Sequence, residues 1–385
     1  MKIIIAPQAF KGTLSAQAAA EAMAKGVFSV LPKAEAVLVP VADGGEGTLK
    51  LLMQARRGHI HTVEVKGSQH QNVLAQWGKL SDSQTALIEL ASICGLELLL
   101  PEERNPLLAT TYGVGEVILD ALDAGCRHFL IGLGGSATND AGAGIFQALG
   151  GLLLDKSGDP LPLGGGALLR LASIDSSRLD PRVKECSFLV ACDVINPLLG
   201  HSGASKVYSP QKGASPEIAE QLEQALLNFC SVVKTDLGMD ISTMPYGGSA
   251  GGAAAGLSAF FSAVLCSGAE LILKEIKFAE MLEGADLVIT GEGCLDVQTL
   301  YHKAVFAVAK IAKAMHVPVL AVVGSLGKEK VDLHKLGVDA VMPLSFVPFS
   351  IGTEPKNSAE LLEQAVEQAL RIMLLNVAFY TKQRL

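Results

Sequence analysis

Four times along this chain a short apolar run ends in glycine beside an acidic or amide side chain. The stretches are VADGGEG (41–47), GLGGSATND (132–140), ACDVINP (191–197) and TGEGCLD (290–296). Short apolar runs bounded by turn residues are the signature of buried strands, and glycine permits the sharp turn that leads into a helix. In open α/β sheets, ligands bind beyond the carboxyl ends of the strands, where the N-termini of the following helices also point. The feature therefore directs the chain to an α/β fold with parallel strands. One such loop reads as plain turn chemistry. Four together point to a shared polar site.

The ends of the chain repeat one grammar. At the start, 2–6 reads as a strand. A helix follows, capped near Thr13 or Ser15, with Ala16, Ala20, Met23, Val27 and Leu31 on one face. A second strand at 37–41 then hands over through DGGEG to a helix from about Thr48. At the far end come a strand at 286–290, a helix near 300–315, a strand at 317–323, the turn GSLGKE and a short strand near 338–342. The last helix opens with N-S-A-E (357–360), a capping box.

Five similar strands flank a differently written middle. The expectation is a discontinuous, Rossmann-like parallel-sheet domain (three-layer α/β/α) from 1–60 plus 276–385, with a large inserted α/β domain at 61–275. Within the insertion, 61–66, 73–80, 85–90 and 187–194 read as strands, and 129–150 as a strand-loop-helix unit. Ile218, Leu222, Leu226, Phe229 and Val233 mark the core face of an amphipathic helix.

Composition limits the function classes. Hydrophobic residues make up 49% and charged residues 18%, as in a compact globular protein. A formal net charge of −8 argues against nucleic acid or an anionic membrane as partner. The seven cysteines are odd in number and form no C-x-x-C pair, which fits reduced thiols and a cytoplasmic location. The opening MKIIIAPQAF has too short an apolar core for a signal peptide. AGGAAAGLSAFFSAVLC (250–266) falls short of a membrane span and reads as a buried helix.

The loops carry the chemistry. In GGSATND, Gly134 and Gly135 let backbone amides approach an anion, Ser136 and Thr138 add hydroxyls, and a helix from about Asp140 adds its dipole. A capped helix start is the plainer reading. GSLGKE lacks the spacing and the hydroxyl of a phosphate-binding P-loop. Asp43, Glu46, Asp193, Glu292 and Asp296 form an acidic set suited to accepting a hydroxyl proton and holding magnesium. Each alone also suits a turn or helix cap. The candidate cations are Lys11, Arg104 and Lys212. His59 and His61 form an H-x-H with no flanking ligand, and His302 is ambiguous.

These residues resemble the bacterial glycerate kinase family, the type found in glyoxylate and glucarate catabolism. The likeness rests on LVPVADGGEGT (38–48), RNPLLATTYGVGE (104–116), GLGGSATNDAGAG (132–144), LPLGGGAL (161–168), CDVINPLLG (192–200), PQKGA (210–214), LEGADLVITGEGCLD (282–296) and VVGSLG (322–327), in order from end to end. It implies ATP- and Mg2+-dependent phosphorylation of D-glycerate, on the 2-hydroxyl, in a cleft between two α/β domains. Asp193 and Asp296 would be the central carboxylates, one taking the hydroxyl proton. The other, with Glu292, would hold the metal. Lys11 or Lys212 would neutralise the transferring phosphate. Arg104 would hold the substrate carboxylate, with Asp43, Glu46, Asn196 and Thr111 also on the acceptor. Gly134, Gly135, Ser136, Thr138, Asn139 and Lys212 would take the nucleotide.

The chain departs from the family pattern at four places. APQAFK has Gln8 and Ala9 where an acid and a hydroxyl are usual, Ile195 replaces threonine, Cys294 replaces arginine and His302 replaces glycine. Those changes keep a second reading open, a non-catalytic ligand-binding or regulatory descendant, and a third, a kinase of another small hydroxy acid. A magnesium-dependent phosphatase using the same loops is a further rival. The expected state is a monomer or small homo-oligomer.

Overall fold

The computed structural model describes residues 1–385 apart from 11, 46, 82–83, 296–303, 328–331, 345–357 and 383–385, with 54 and 376–382 described by backbone alone. Lys11, Glu46 and Asp296 of the candidate set therefore lie outside the described residues, as do His302 and Asn357. In chain order the strands are β1 (Lys2–Pro7), β2 (Glu35–Leu38), β3 (His59–Lys66), β4 (Asn72–Lys79), β5 (Thr85–Glu89), β6 (His128–Gly132), β7 (Leu152–Leu154), β8 (Ser173–Asp175), β9 (Ser187–Cys192), β10 (Val264–Ser267), β11 (Leu287–Leu295), β12 (Val319–Leu326) and β13 (Ala340–Pro343). The chain divides into two compact units, Met1–Ala42 with Ile272–Leu385, and Asp43–Leu271.

The first unit is built on a parallel sheet in the order β13-β12-β11-β1-β2. Parallel strands need cover on both faces, and the apolar runs supply it. Ile3, Ile5, Leu287 and Ile289 pack with Ala20, Met23 and Val27 of the helix Ala16–Val30 and with Leu362 and Val366 of the helix Ser358–Lys382. Each such burial contributes about 1.5–3 kcal/mol for a large aliphatic side chain. Ile4 and Val288, which alternate with them, are equally buried, and the helix Ala304–Ala314 packs on β1, β11 and β12. Ser15 caps the first helix, its Oγ accepting from Ala18 N at 3.2 Å.

Two sequence expectations change here. The strand expected to end near residue 290 runs on to Leu295, pairing Glu292 with Val323 and Cys294 with Ser325. Gly291 reads as a breaker, yet a Cβ there would lie 2.0 Å from Val322 O, so this glycine serves close strand approach. The second strand, expected at 37–41, is Glu35–Leu38. Beyond it the chain still follows β1 through Val39 N to Ile5 O and Val41 N to Pro7 O, at 2.8 and 2.9 Å.

The second unit carries a six-stranded sheet, β10-β9-β6-β5-β4-β3, and a small β7-β8 pair. The first four strands of the large sheet are mutually parallel, and β4 and β3 extend it antiparallel. Its core joins Trp77, Ile88, Phe129 and Val190 to Val114, Val117 and Ile118 of the helix Tyr112–Asp123. The Trp77 indole donates to Asp120 Oδ2 at 2.7 Å, which satisfies its one polar atom. The strand expected at 61–66 starts two residues earlier, so His59 and His61 both lie in β3, and His61 stacks on Trp77 at 4.3 Å.

A second cluster sets Leu222, Leu226, Phe229 and Val233 of the helix Pro216–Leu237 against Phe146 and Ala255. Of the stretch 250–266, expected to be one buried helix, only Ala253–Phe261 is helical, with Ala253, Ala254, Ala255, Gly256 and Leu257 buried, and its end enters the strand β10 beside β9. The helix Thr48–Arg56, placed by the sequence reading before a boundary at 60, packs on β4 and β5 and so joins the second unit.

Candidate active site

The site is built where β5, β6, β9 and β10 end together. Being parallel neighbours, they release their loops at one edge of the sheet. The loop 43–47 closes onto this edge, backbone against backbone. A Cβ at Gly132 would lie 2.3 Å from Gly44 O, one at Gly134 2.7 Å from Gly45 Cα, and one at Gly268 1.8 Å from Asp43 O. Gly134 N donates to Gly44 O at 3.3 Å. Only glycine allows this approach, which brings DGGEG and GGSATND together although some 90 residues of sequence separate them.

Asp193 follows β9, half-buried, and its Oδ2 lies 3.5 Å from the point a Gly134 Cβ would occupy. The missing Cβ lets the Gly45 backbone and the Asp193 carboxylate close in on Gly134. The loop bearing Asp193 is braced from behind. Tyr246 N donates to Ile195 O at 3.1 Å, Gly248 N to Asn196 O at 2.9 Å, and Ser249 Oγ to Val194 O at 3.0 Å.

Lys212 is the buried cation of the site, 3% exposed in the turn Pro210–Lys212. Its Nζ donates to Ser136 Oγ at 2.8 Å and to Thr138 O at 2.7 Å. Burial pushes its pKa down to about 8, against the opposing pull of Asp193, Cys94 and Asp140, so the ammonium remains the main form at neutral pH. Tyr208, close by, is pushed up to about 12, by burial first and by the Asp193 charge second. Thr138 Oγ1 and Asn139 Oδ1 are buried without a hydrogen-bond partner among the described residues.

The GGSATND loop owes its shape to Asp140, a residue the sequence reading passed over as a helix start. Its fully buried Oδ2 accepts from Thr111 N at 2.7 Å, Thr111 Oγ1 at 2.9 Å and Gly144 N at 3.2 Å, and Oδ1 accepts from Gly142 N at 3.2 Å. Burial nonetheless leaves its pKa raised, the bonds offsetting only part of the desolvation. The helix expected from about Asp140 starts at Ala143 and is six residues long, and Asp140 itself takes up its first amides. The helix dipole is thus spent on an internal carboxylate.

The remaining candidates divide. Thr111 is fully buried, its hydroxyl donating to Asp140 and accepting from Ile145 N at 3.2 Å, so it braces the loop. Asn196 uses both ends of its amide, accepting from Tyr208 OH at 2.8 Å and donating to Ser202 O at 2.7 Å. Asn139 Nδ2 donates to Ser205 Oγ at 3.3 Å. Gly135 O accepts from Leu96 N at 2.9 Å.

Arg104 lies beside the Lys212 turn. A Cβ at Gly213 would be 2.5 Å from Arg104 O, and Arg104 Nη1 donates to Gln211 O at 3.3 Å. Its Nε is enclosed and has no hydrogen-bond partner among the described residues. Glu292, buried in β11, belongs to the first unit. Among the described residues no three His, Cys, Asp or Glu side chains group to hold a metal. Magnesium carried on phosphates needs only one or two protein carboxylates, so the half-buried Asp193 carboxylate fits that ion.

Comparison with known proteins decides the family. The profile of the glycerate kinase family matches residues 3–374. The chain belongs to the glycerate kinase family. Among the relatives of this family, a glycerate kinase of Halalkalibacterium halodurans is 45% identical, over 94% of this chain and 96% of that protein. A glycerate 2-kinase of Escherichia coli is 45% identical over 92% of each chain. The crystal structure of a Salmonella typhimurium protein provisionally assigned as glycerate kinase 2 is similar at a TM-score of 0.80 and 42% identity, covering 100% of both chains. No helix among the described residues is long and apolar enough to cross a membrane.

Proposed function

We propose that the chain transfers the terminal phosphoryl group of ATP, with Mg2+, to the 2-hydroxyl of D-glycerate, giving 2-phosphoglycerate. The observation that carries this reading is the end-to-end likeness to a glycerate 2-kinase at 45% identity. The site geometry agrees with it. Asp193, a half-buried carboxylate, and Lys212, a buried ammonium, both lie against the GGSATND loop, and phosphoryl transfer asks for little more than positioning and charge.

In this reading Asp193 accepts the acceptor hydroxyl proton or holds Mg2+, whose chemistry would be to neutralise charge on the phosphates. Asp296 and Glu292 are the other carboxylates proposed for these roles. Lys212 faces the transferring phosphoryl, with Gly134, the amide of Gly135 and the hydroxyls of Ser136 and Thr138 on the nucleotide side. The unpartnered Arg104 Nε suits one oxygen of the substrate carboxylate, a contact a guanidinium makes well. Asp43 and Glu46 are read as orienting the acceptor, and Lys11 as a further phosphate cation. A cytoplasmic enzyme of one or a few identical subunits completes the proposal.

The test is Mg2+-dependent ADP release with D-glycerate, with the product read by phosphorus NMR. Coupling to a single proton marks the 2-phosphate, and coupling to two marks the 3-phosphate. Binding of glycerate and nucleotide without turnover would sink the kinase reading. Turnover of another hydroxy acid in place of D-glycerate would sink the substrate.

A further inference from the structure

Glu89 ends β5 with no glycine beside it, and none of the loop motifs includes it. It is 7% exposed, and its Oε1 accepts a hydrogen bond from Leu49 N at 2.5 Å. Leu49 stands in the first turn of the helix Thr48–Arg56, whose N-cap is Gly47, left-handed at φ 89° and without a side-chain cap. A helix start leaves its first amides unsatisfied, and one buried in this way needs an acceptor from elsewhere. Glu89 supplies it from a strand 40 residues away. A carboxylate at a helix N-terminus also gains from the dipole.

The loop it fastens is the one carrying Asp43. Its near side is already held by backbone contact with Gly132, Gly134 and Gly268, and Gly44 presses on Ala191, where a Cβ would lie 3.0 Å from the alanine Cβ. The far side leads directly into the helix whose first turn Glu89 holds. We infer that Glu89 is a positioning residue, which sets the 43–47 loop against the ends of β6 and β9 and so places Asp43 for the acceptor substrate. This rests on the reading of Asp43 as an acceptor-side group.

The experiment compares Glu89→Asp, which withdraws the acceptor by one methylene, and Glu89→Ala with Glu89→Gln, which keeps an oxygen at the same reach. Expected is a rise in the D-glycerate KM of at least about tenfold in the Asp and Ala variants, since small misplacements at a site are costly. The ATP KM should stay within about twofold, and Glu89→Gln should restore the acceptor KM. Amide exchange in 47–53 should quicken in the first two variants and return to the wild-type rate in the third. A merely structural role would lower the active fraction and leave both KM values alone, and that result overturns the inference, as does unchanged exchange. If the wild-type enzyme takes a different hydroxy acid, the substrate assignment fails, and Glu89 is judged on that acceptor's KM. If there is no turnover at all, the calorimetric Kd for D-glycerate takes the place of its KM in the same comparison.

Discussion

Lys212 is held out of water by its neighbours, and that sets its chemistry. If its ammonium faces the transferring phosphoryl, activity needs the protonated form. The rate should then fall as pH rises through about 8. Lys212→Met should lose about 10²–10³-fold in kcat, in the range of removing one electrostatic contact to the transition state. It should also lose that alkaline limb. A pH–rate profile retaining the limb in the variant would assign it to another group. Asp193→Asn keeps the shape of the side chain but loses both its charge and its basicity. It should lower kcat by about 10²–10⁴-fold as the loss of a general base, with Mg2+ titration at fixed ATP showing whether metal affinity falls with it.

Elements meet at this site through backbone and not through side chains. A Gly134→Ala Cβ would stand 2.7 Å from Gly45 Cα and 3.5 Å from Asp193 Oδ2, so it must push the 43–47 loop away from β9. The expected result is a loss of about 1–3 kcal/mol in unfolding free energy, as for other overpacked positions, together with a disproportionate fall in kcat/KM. Denaturant melts and steady-state kinetics on the same preparation would separate the two effects. A variant that is less stable but fully active would remove this contact from the site. The lesson of the elements is similar. Apolar runs and turn residues place most strands of the two sheets to within a few residues, but they miss β10, whose residues read as the end of a buried helix. They misjudge β11, where Gly291 reads as a breaker although β12 lies close enough to continue the ladder. They also give the start of the GGSATND helix to a residue that instead collects its amides.

For the whole molecule, buried charge links stability to pH. The folded pKa of Lys212 lies below its ordinary value of 10.5, so its contribution is present above 10.5 and is lost as pH falls through about 8. Wild-type protein should therefore gain in stability over Lys212→Met as pH rises from about 8 to 10.5, by about 3 kcal/mol at most. Urea unfolding of both proteins across that range measures the difference directly. A constant difference would mean that Lys212 titrates normally. Asp140 acts in the opposite sense. With its folded pKa raised, its contribution is full below the ordinary 3.8 and is lost as pH rises through the raised value.

By itself the sequence determined the α/β class, the parallel strands at both ends of the chain, a buried helix within 250–266 and the motif set that carries the family. All of these are local patterns of apolar spacing and turn chemistry, readable within a window of some ten to twenty residues. Tertiary structure alone decided which loops meet at one sheet edge and which partners each polar group bonds there. Lys212 meets Ser136 across 76 residues, and Glu89 meets Leu49 across 40. Thr111 became a buried prop for Asp140, and the 43–47 loop joined the second unit. Such contacts depend on burial and on which backbones approach closely enough to touch, and no local spacing encodes them.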